Sequence, residues 1–299
     1  MPCLNGALRH FLTGEELSAA ELEALLDRAD ELKAGRAAGV GGDSLARRTV
    51  ALFFERPSTR TRVSFQVGVG ELGGQPLALR ADELQVGRGE SIADTAAVLS
   101  RYLHAIVIRS GSHETVTELA AGSAVPVINA LTPLHHPCQA LADLMTVRER
   151  FGTLEGVSIA YVGDGNNVAR SLALIGRALG VEVRVATPPG YELEPGLAAR
   201  AGADPREVAA GADALYTDIW VSMGDEETAA RRRANLAPYQ LSEELMALAS
   251  DRAVALHCLP AHPGEEIARE VLYGKRSAVF DQAENRLHAQ KALLELLVG

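Results

Sequence analysis

A chain of 299 residues, 47% hydrophobic and 23% charged, is long enough for a sizeable core and is expected to form two globular domains. Its net charge of −10 and the lack of a basic tract argue against nucleic acid as the main partner. No apolar run approaches the ~20 residues that span a bilayer, so no membrane association is expected.

The three cysteines, Cys3, Cys138 and Cys258, are an odd set without CxxC spacing. That suits a reducing cytosol better than a disulfide framework, and Met1 to Gly6 lacks the regions of a signal peptide, so a cytoplasmic protein is expected. None of the three lysines, Lys33, Lys275 and Lys291, follows a Gly-rich strand-to-helix turn, which excludes a P-loop.

In chain order, a helical pattern from Glu15 to Leu32 and a joint at Gly39 to Gly42 precede the apolar run Val50 to Phe54, which reads as a buried strand. Ser58 is placed to cap a following helix that stops at Gly73-Gly74. Further strands are expected at Pro76, Ala105 and Val125, with helices from Ser91 to Tyr102 (Ser91 and Asp94 spaced as a capping box) and from His113 to Ala121. Pro137 to Phe151 reads as one helix joining two domains, with proline in its first turn. Then come strands at Val157 to Val162, Val181 to Ala186, Ala214 to Thr217, Ala253 to His257 and Ser277 to Phe280, and a closing helix, Asn285 to Val298. Regular βα alternation predicts an α/β protein of two doubly wound domains, each a mostly parallel sheet flanked by helices. The expected boundaries are 1–136, a linking helix over 137–151, 152–284, and a final helix over 285–299 that packs back across the junction.

Polar side chains recur where these strands end. Ser58, Thr59, Arg60 and Thr61 follow the first strand, and Arg109 ends the third. His135, His136 and Gln139 follow the fourth. Asn166 and Asn167, Asp218, then His257 and Cys258 occupy equivalent places in the second half, and Arg286 follows the last predicted strand. Ligands of open α/β sheets bind outside the carboxyl ends of the strands, so one shared cleft between the domains is expected. The Ser58 helix start offers unpaired N–H groups and half a positive charge, and Arg60 adds a planar fork matched to phosphate. Arg62, two residues on, points elsewhere and reads as a structural ion-pair partner.

Other readings of these motifs are weaker. Tyr161 to Val168 begins like a dinucleotide fingerprint but lacks its third glycine, and no acidic residue ends the next strand, which disfavours an NAD-dependent dehydrogenase. The glycines then serve a tight turn, leaving Asn166 and Asn167 to face the cleft. His135, His136, Cys138, His257, Cys258 and His262 match no standard zinc spacing, and no metal is expected. His136, beside a helix-starting proline, is better used as a neutral hydrogen-bond donor. A nucleophilic Cys258–His pair is conceivable, although no cysteine-hydrolase signature surrounds it.

Together these motifs resemble the aspartate/ornithine carbamoyltransferase family. Ser58-Thr59-Arg60-Thr61-Arg62 is similar to its carbamoyl phosphate signature and His136-Pro137-Cys138-Gln139 to its second phosphate-side motif. Asp218-Ile219-Trp220-Val221-Ser222-Met223-Gly224 and His257-Cys258-Leu259-Pro260 resemble the pair that marks the ornithine branch, and the likeness runs from about Leu12 to the last helix.

The resemblance implies that Ser58, Thr59, Arg60 and Thr61 bind phosphate, that Arg109 reaches phosphate and carbonyl oxygen, and that His136 and Gln139 hold the carbamoyl group. It implies that Asn167, Asp218, Ser222 and Met223 bind ornithine. Cys258 and Leu259 would lie beside its side-chain amine and the carbamoyl group, and Arg286 would polarise the carbonyl. Arg60, Arg109, His136, Asp218, Cys258 and Arg286 are the implied catalytic set. Gln85 looks like the residue the family donates from an adjacent subunit, which implies a homotrimer with sites between subunits. The implied reaction makes L-citrulline and phosphate from carbamoyl phosphate and L-ornithine, in arginine biosynthesis, with the degradative direction open and no cofactor. Transfer to aspartate, putrescine or N-acetylornithine, and a non-catalytic phosphoanion-binding role, are the alternatives. Gln66 and Gln282 stand where glutamate is common and Pro263 where arginine is frequent, none at a proposed ligand contact.

Overall fold

The computed structural model describes residues 8–80, 89–222 and 226–299. The chain divides into two compact units, residues 1–141 with 285–299, and residues 142–284.

The first unit is built on strands β1 (Thr49–Phe54), β2 (Gln75–Arg80), β3 (Ala105–Arg109) and β4 (Val127–Leu131), all parallel and ordered β2-β1-β3-β4. Helices α1 (Ala19–Ala37), α2 (Thr59–Glu71), α3 (Ile92–Leu99) and α4 (His113–Gly122) belong to it. β1 and β3 are buried along their middles, whereas the edge strand β2 is largely exposed. Near-continuous Val, Ile, Leu and Ala runs are what strands covered on both faces require. Serines punctuate the helices. Ser18 and Glu21 form a reciprocal capping box on α1, and Ser58, Ser91 and Ser112 each accept a backbone N–H in the first turn of α2, α3 and α4. The opening helix therefore starts at Ala19 rather than Glu15, because residues 12–16 form a turn in which Glu16 accepts from the backbone N–H groups of Leu12, Thr13 and Gly14.

α5 (Pro137–Phe151) is one continuous helix, and the division between units falls inside it. The second unit carries β5 (Ser158–Val162), β6 (Glu182–Ala186), β7 (Arg200–Gly202), β8 (Ala214–Thr217) and β9 (Val254–His257), parallel and ordered β7-β6-β5-β8-β9. Helix α6 (Asn167–Ala178) follows β5, and the short helices α7 (Pro205–Ala209), α8 (Ala229–Leu236), α9 (Glu243–Met246) and α10 (Arg269–Leu272) complete its cover. β7 is a three-residue exposed edge without the apolar run that would betray it in the sequence.

The strand expected at Ser277 to Phe280 is not formed. Ser277 makes a single bridge to Ala255 of β9, after which the apolar residues enter α11 (Val279–Val298). This helix starts at Val279, not Asn285, and the second unit boundary lies inside it. Arg286 is thus a helix residue rather than a strand-end one.

Both sheets have a topological switch point. In the first, connections leave β1 and β3 in opposite directions; in the second, β5 and β8 do so. Each pair opens a crevice beyond its carboxyl ends, where the candidate residues lie.

Candidate functional site

In the first unit, β1 ends in a loop that Glu55 ties to the end of β3. Its carboxylate accepts from Ser110 Oγ at 2.7 Å and from the Gly111 N–H at 2.8 Å. Ser58 then caps α2 by accepting from the Thr61 N–H, and half-buried Arg60 stands in its first turn. Arg109 ends β3. After β4, the turn from Thr132 is closed by two bonds with His135: the Thr132 N–H donates to the His135 carbonyl, and the His135 N–H donates to Thr132 Oγ1, which delivers His136 to the start of α5.

Arg286 is buried and reaches these groups from α11. Its Nη2 donates to Thr61 Oγ1 at 2.8 Å and its Nη1 to Gln139 Oε1 at 3.0 Å. Accepting from Arg286 leaves the Thr61 O–H as a donor. α11 comes close to α2 at Gly68, where a Cβ would stand 3.2 Å from Lys291 Cγ and 3.4 Å from Leu287 Cδ1. Lys291, itself buried, donates to Glu71 of α2 at 2.8 Å and secures the contact.

His136 is buried, and burial followed by the charges of Arg286, Arg109 and Arg60 holds its imidazole well below the usual histidine value. A neutral imidazole among three guanidinium groups matches an uncharged carbonyl next to an anion. Cys138, by contrast, is buried with its thiol pushed up to about 12, chiefly by burial, so it is inert packing.

In the second unit, Asp218 follows β8, and its Oδ1 accepts from Cys258 Sγ at 2.9 Å and from the Ile219 N–H at 2.8 Å. Its Oδ2 accepts from Asn166 Nδ2 at 2.8 Å. The same Asn166 side chain has a structural use: its Oδ1 caps α6 through Val168 and Ala169, which leaves Asn167 as the first residue of that helix. The glycine expected to serve only a turn has a further reason, since a Cβ on Gly165 would lie 2.6 Å from the Tyr191 carbonyl oxygen. The segment 191–193 is thereby seated against the end of β5. Arg232 of α8 holds the same region. It donates to the Trp220 carbonyl at 2.6 Å and pairs with Asp164, and its guanidinium lies over the Tyr191 ring. Ser222 ends the described part of that loop; Met223, and Gln85 of the first unit, lie outside the described residues.

The ring of His257 is fully committed. Nδ1 accepts from the Leu259 N–H at 2.8 Å, so Nε2 carries the proton and donates to Glu266 Oε1 at 3.1 Å. Glu266 is entirely buried; burial raises its pKa, but the bonds from His257 and from the His262 N–H outweigh this and hold it below the ordinary value. His257 therefore cannot serve as base for Cys258, whose thiol points to a carboxylate instead, and the nucleophilic-cysteine reading fails. Donor atoms of Asp218, His257 and Cys258 do lie within 4.8 Å of one another, but neither ring nitrogen has a lone pair to spare for a metal. Leu259 has a left-handed φ of 57°, unusual for a leucine, held by the hydrogen bond to His257 and by packing against the core of the unit.

Several structural partners escape a reading of the sequence: Glu55, Asp143, Glu266 and Arg232; Gln282 is noticed there only as a departure from the family pattern. Each is an ordinary polar residue locally, and only its fold neighbours distinguish it. Arg62 is exposed and has no ion-pair partner among the described residues, contrary to expectation.

Residues 9–149 match the carbamoyl-P binding domain of aspartate/ornithine carbamoyltransferase and residues 155–297 match its Asp/Orn binding domain. The chain is 54% identical to ornithine carbamoyltransferase of Acidothermus cellulolyticus, with 97% of each chain covered. It is 49% identical to that of Archaeoglobus fulgidus, with 98% of each covered. Among solved structures, ornithine carbamoyltransferase from Pyrococcus furiosus superposes with a TM-score of 0.94 at 45% identity, covering 99% of both chains. With both halves matched over nearly their whole length, the chain belongs to the aspartate/ornithine carbamoyltransferase family.

Proposed function

We propose that this chain transfers the carbamoyl group of carbamoyl phosphate to the side-chain amine of L-ornithine, giving L-citrulline and phosphate. The observation that carries the acceptor reading is the 2.9 Å contact between Cys258 and Asp218, which joins the two ornithine-type motifs in one place. On the donor side, the capped start of α2, Arg60 and Arg109 suit a phosphate dianion, while Thr61, His136, Gln139 and Arg286 suit the carbamoyl group.

The δ-amine must be neutral to attack the carbonyl carbon. With a lysine-like pKa of about 10.4 this costs roughly 4.6 kcal/mol at neutral pH. Held beside the Asp218–Cys258 pair, the amine adds to the carbon and an oxyanion forms. Arg109, His136, Arg286 and the Thr61 hydroxyl are the donors proposed for it, each worth about 3 kcal/mol when well aimed. The C–O bond to phosphate then breaks, and phosphate takes the amine proton, so the equation balances without a cofactor. Asn167, Ser222 and Met223 are proposed to hold the α-amino acid end, and Leu259 to lie beside the carbamoyl group.

We also propose a homotrimer, with Gln85 serving a neighbouring subunit. Exposed Val63, Val67, Leu77, Val98 and Tyr102 of the first unit support an apolar contact surface.

The test is product formation from carbamoyl phosphate with ornithine, putrescine, N-acetylornithine and aspartate offered separately. Citrulline from ornithine at the highest kcat/KM is expected; preference for another amine, or no product at all, overturns the reading.

A further inference from the structure

We propose that Gln282 is a positioning residue for the acceptor side of the reaction. Through the main chain of His257 it sets the orientation of Cys258, and its amide does so without gaining or losing a proton. The inference rests on the carbamoyl-transfer reading above and adds a residue that acts through another.

Gln282 lies on α11, completely buried. Its Oε1 accepts from the His257 N–H at 2.9 Å, and its Nε2 donates to Asp143 Oδ1 on α5 at 2.6 Å. A backbone N–H can only donate, so the amide oxygen must face His257 and the amide nitrogen must face Asp143. His257 is then gripped at three points: its N–H by Gln282, its Nδ1 by the Leu259 N–H, and its Nε2 by Glu266. Cys258 leaves this frame directly, and its thiol reaches Asp218.

A carboxylic side chain at this position would keep the shape and change the chemistry. Facing Asp143 at hydrogen-bond distance, two carboxyl groups must share a proton, and the pair would hold it with a raised upper pKa. While protonated, the introduced carboxyl could donate to Asp143 and accept from His257 as the amide does. Once the proton is lost, the two charges repel and the grip on the His257 N–H shifts. Glutamine removes this dependence. Among the described residues, His257 on β9 bonds to Gln282, and Tyr216 on β8 and Tyr161 on β5 feel the Asp143 charge; Glu266 lies one bond further on, beyond the His257 ring, and Asp218 beyond the Cys258 thiol. The Asp143 charge, after burial, is the next cause holding the Tyr216 phenol well above its ordinary value. On α11 itself, Asp281 is half-buried and paired with Arg150, and Glu284 is exposed.

The experiment compares the full-length wild type, Gln282→Glu and Gln282→Met between about pH 6 and pH 9, varying ornithine and carbamoyl phosphate in turn. Alkylation of Cys258 by iodoacetamide, followed by peptide mass spectrometry, reports its orientation independently of turnover. Gln282→Glu should match the wild type at the acid end. Its kcat/KM for ornithine, taken as a ratio to wild type, should fall roughly tenfold by the alkaline end, with KM for carbamoyl phosphate within about twofold. The Cys258 alkylation ratio should change over the same pH range. Gln282→Met should be weaker with ornithine at every pH, without the trend; if it does not fold, Gln282→Glu carries the test alone. A flat Gln282→Glu ratio, or equal effects on both substrates, overturns the proposal. Absence of citrulline from the wild type overturns the functional reading instead, and the alkylation profile still decides the role of Gln282.

Discussion

Arg60 and Arg286 supply positive charge to the same unit by different routes, one from the first turn of α2 and one from α11. Arg286 is tied to Thr61 and Gln139, whereas half-buried Arg60 stands at the helix start, where we propose that the phosphate binds. Arg60→Ala should therefore lower kcat/KM for carbamoyl phosphate by roughly 100-fold while changing stability by less than about 0.5 kcal/mol. Steady-state kinetics with urea denaturation on the same protein checks both. His136 gives a pH signature of the opposite kind. Its folded pKa lies well below the ordinary value near 6.5, so below that pH the unfolded chain binds a proton that the folded chain refuses. Stability attributable to His136 is complete above pH ~6.5 and is lost as pH falls below it, by up to about 1.4 kcal/mol per pH unit. His136→Gln should flatten this slope in urea melts between about pH 5 and pH 8; parallel curves would refute the argument.

At the scale of elements, α2 and α6 both begin where a short side chain caps the first turn, Ser58 in one and Asn166 in the other. Such caps are local, so Ser58 is legible as a cap from its neighbours in the chain. The cap role of Asn166 is not legible in the same way, because its second partner Asp218 follows a different strand, and capping plus that bond uses both ends of the amide. The apolar run after Ser277 is ambiguous for a related reason: a buried helix start and a buried strand look alike over four residues. Gly165 belongs to this scale too. Gly165→Ala would force the 191–193 segment away and should cost about 1–3 kcal/mol in chemical denaturation. It should also raise KM for ornithine more than KM for carbamoyl phosphate, since the segment is seated beside Asn166 and Arg232.

For the whole molecule, the exposed apolar side chains of the first unit lead to an expectation about assembly. Tyr102 is 71% exposed, a large aromatic surface for an isolated chain. Sedimentation should find three copies of the 31.7 kDa chain, and Tyr102→Glu should shift the population toward single chains with a matching loss of activity. A monomeric, fully active wild type would refute the trimer. Periodicity, capping residues and turn glycines act over a few residues, which is why two runs of βα units and the phosphate-type helix start can be read from the chain alone. The pairing of Arg286 with Thr61 spans 225 residues, and that of Gln282 with Asp143 spans 139. No local pattern encodes such contacts: a polar side chain on a helix becomes a hydrogen-bond partner only after packing has removed water and set the two elements in register. Which arginine meets Thr61, which glutamine grips His257, and why His136 stays neutral are therefore decided by tertiary structure.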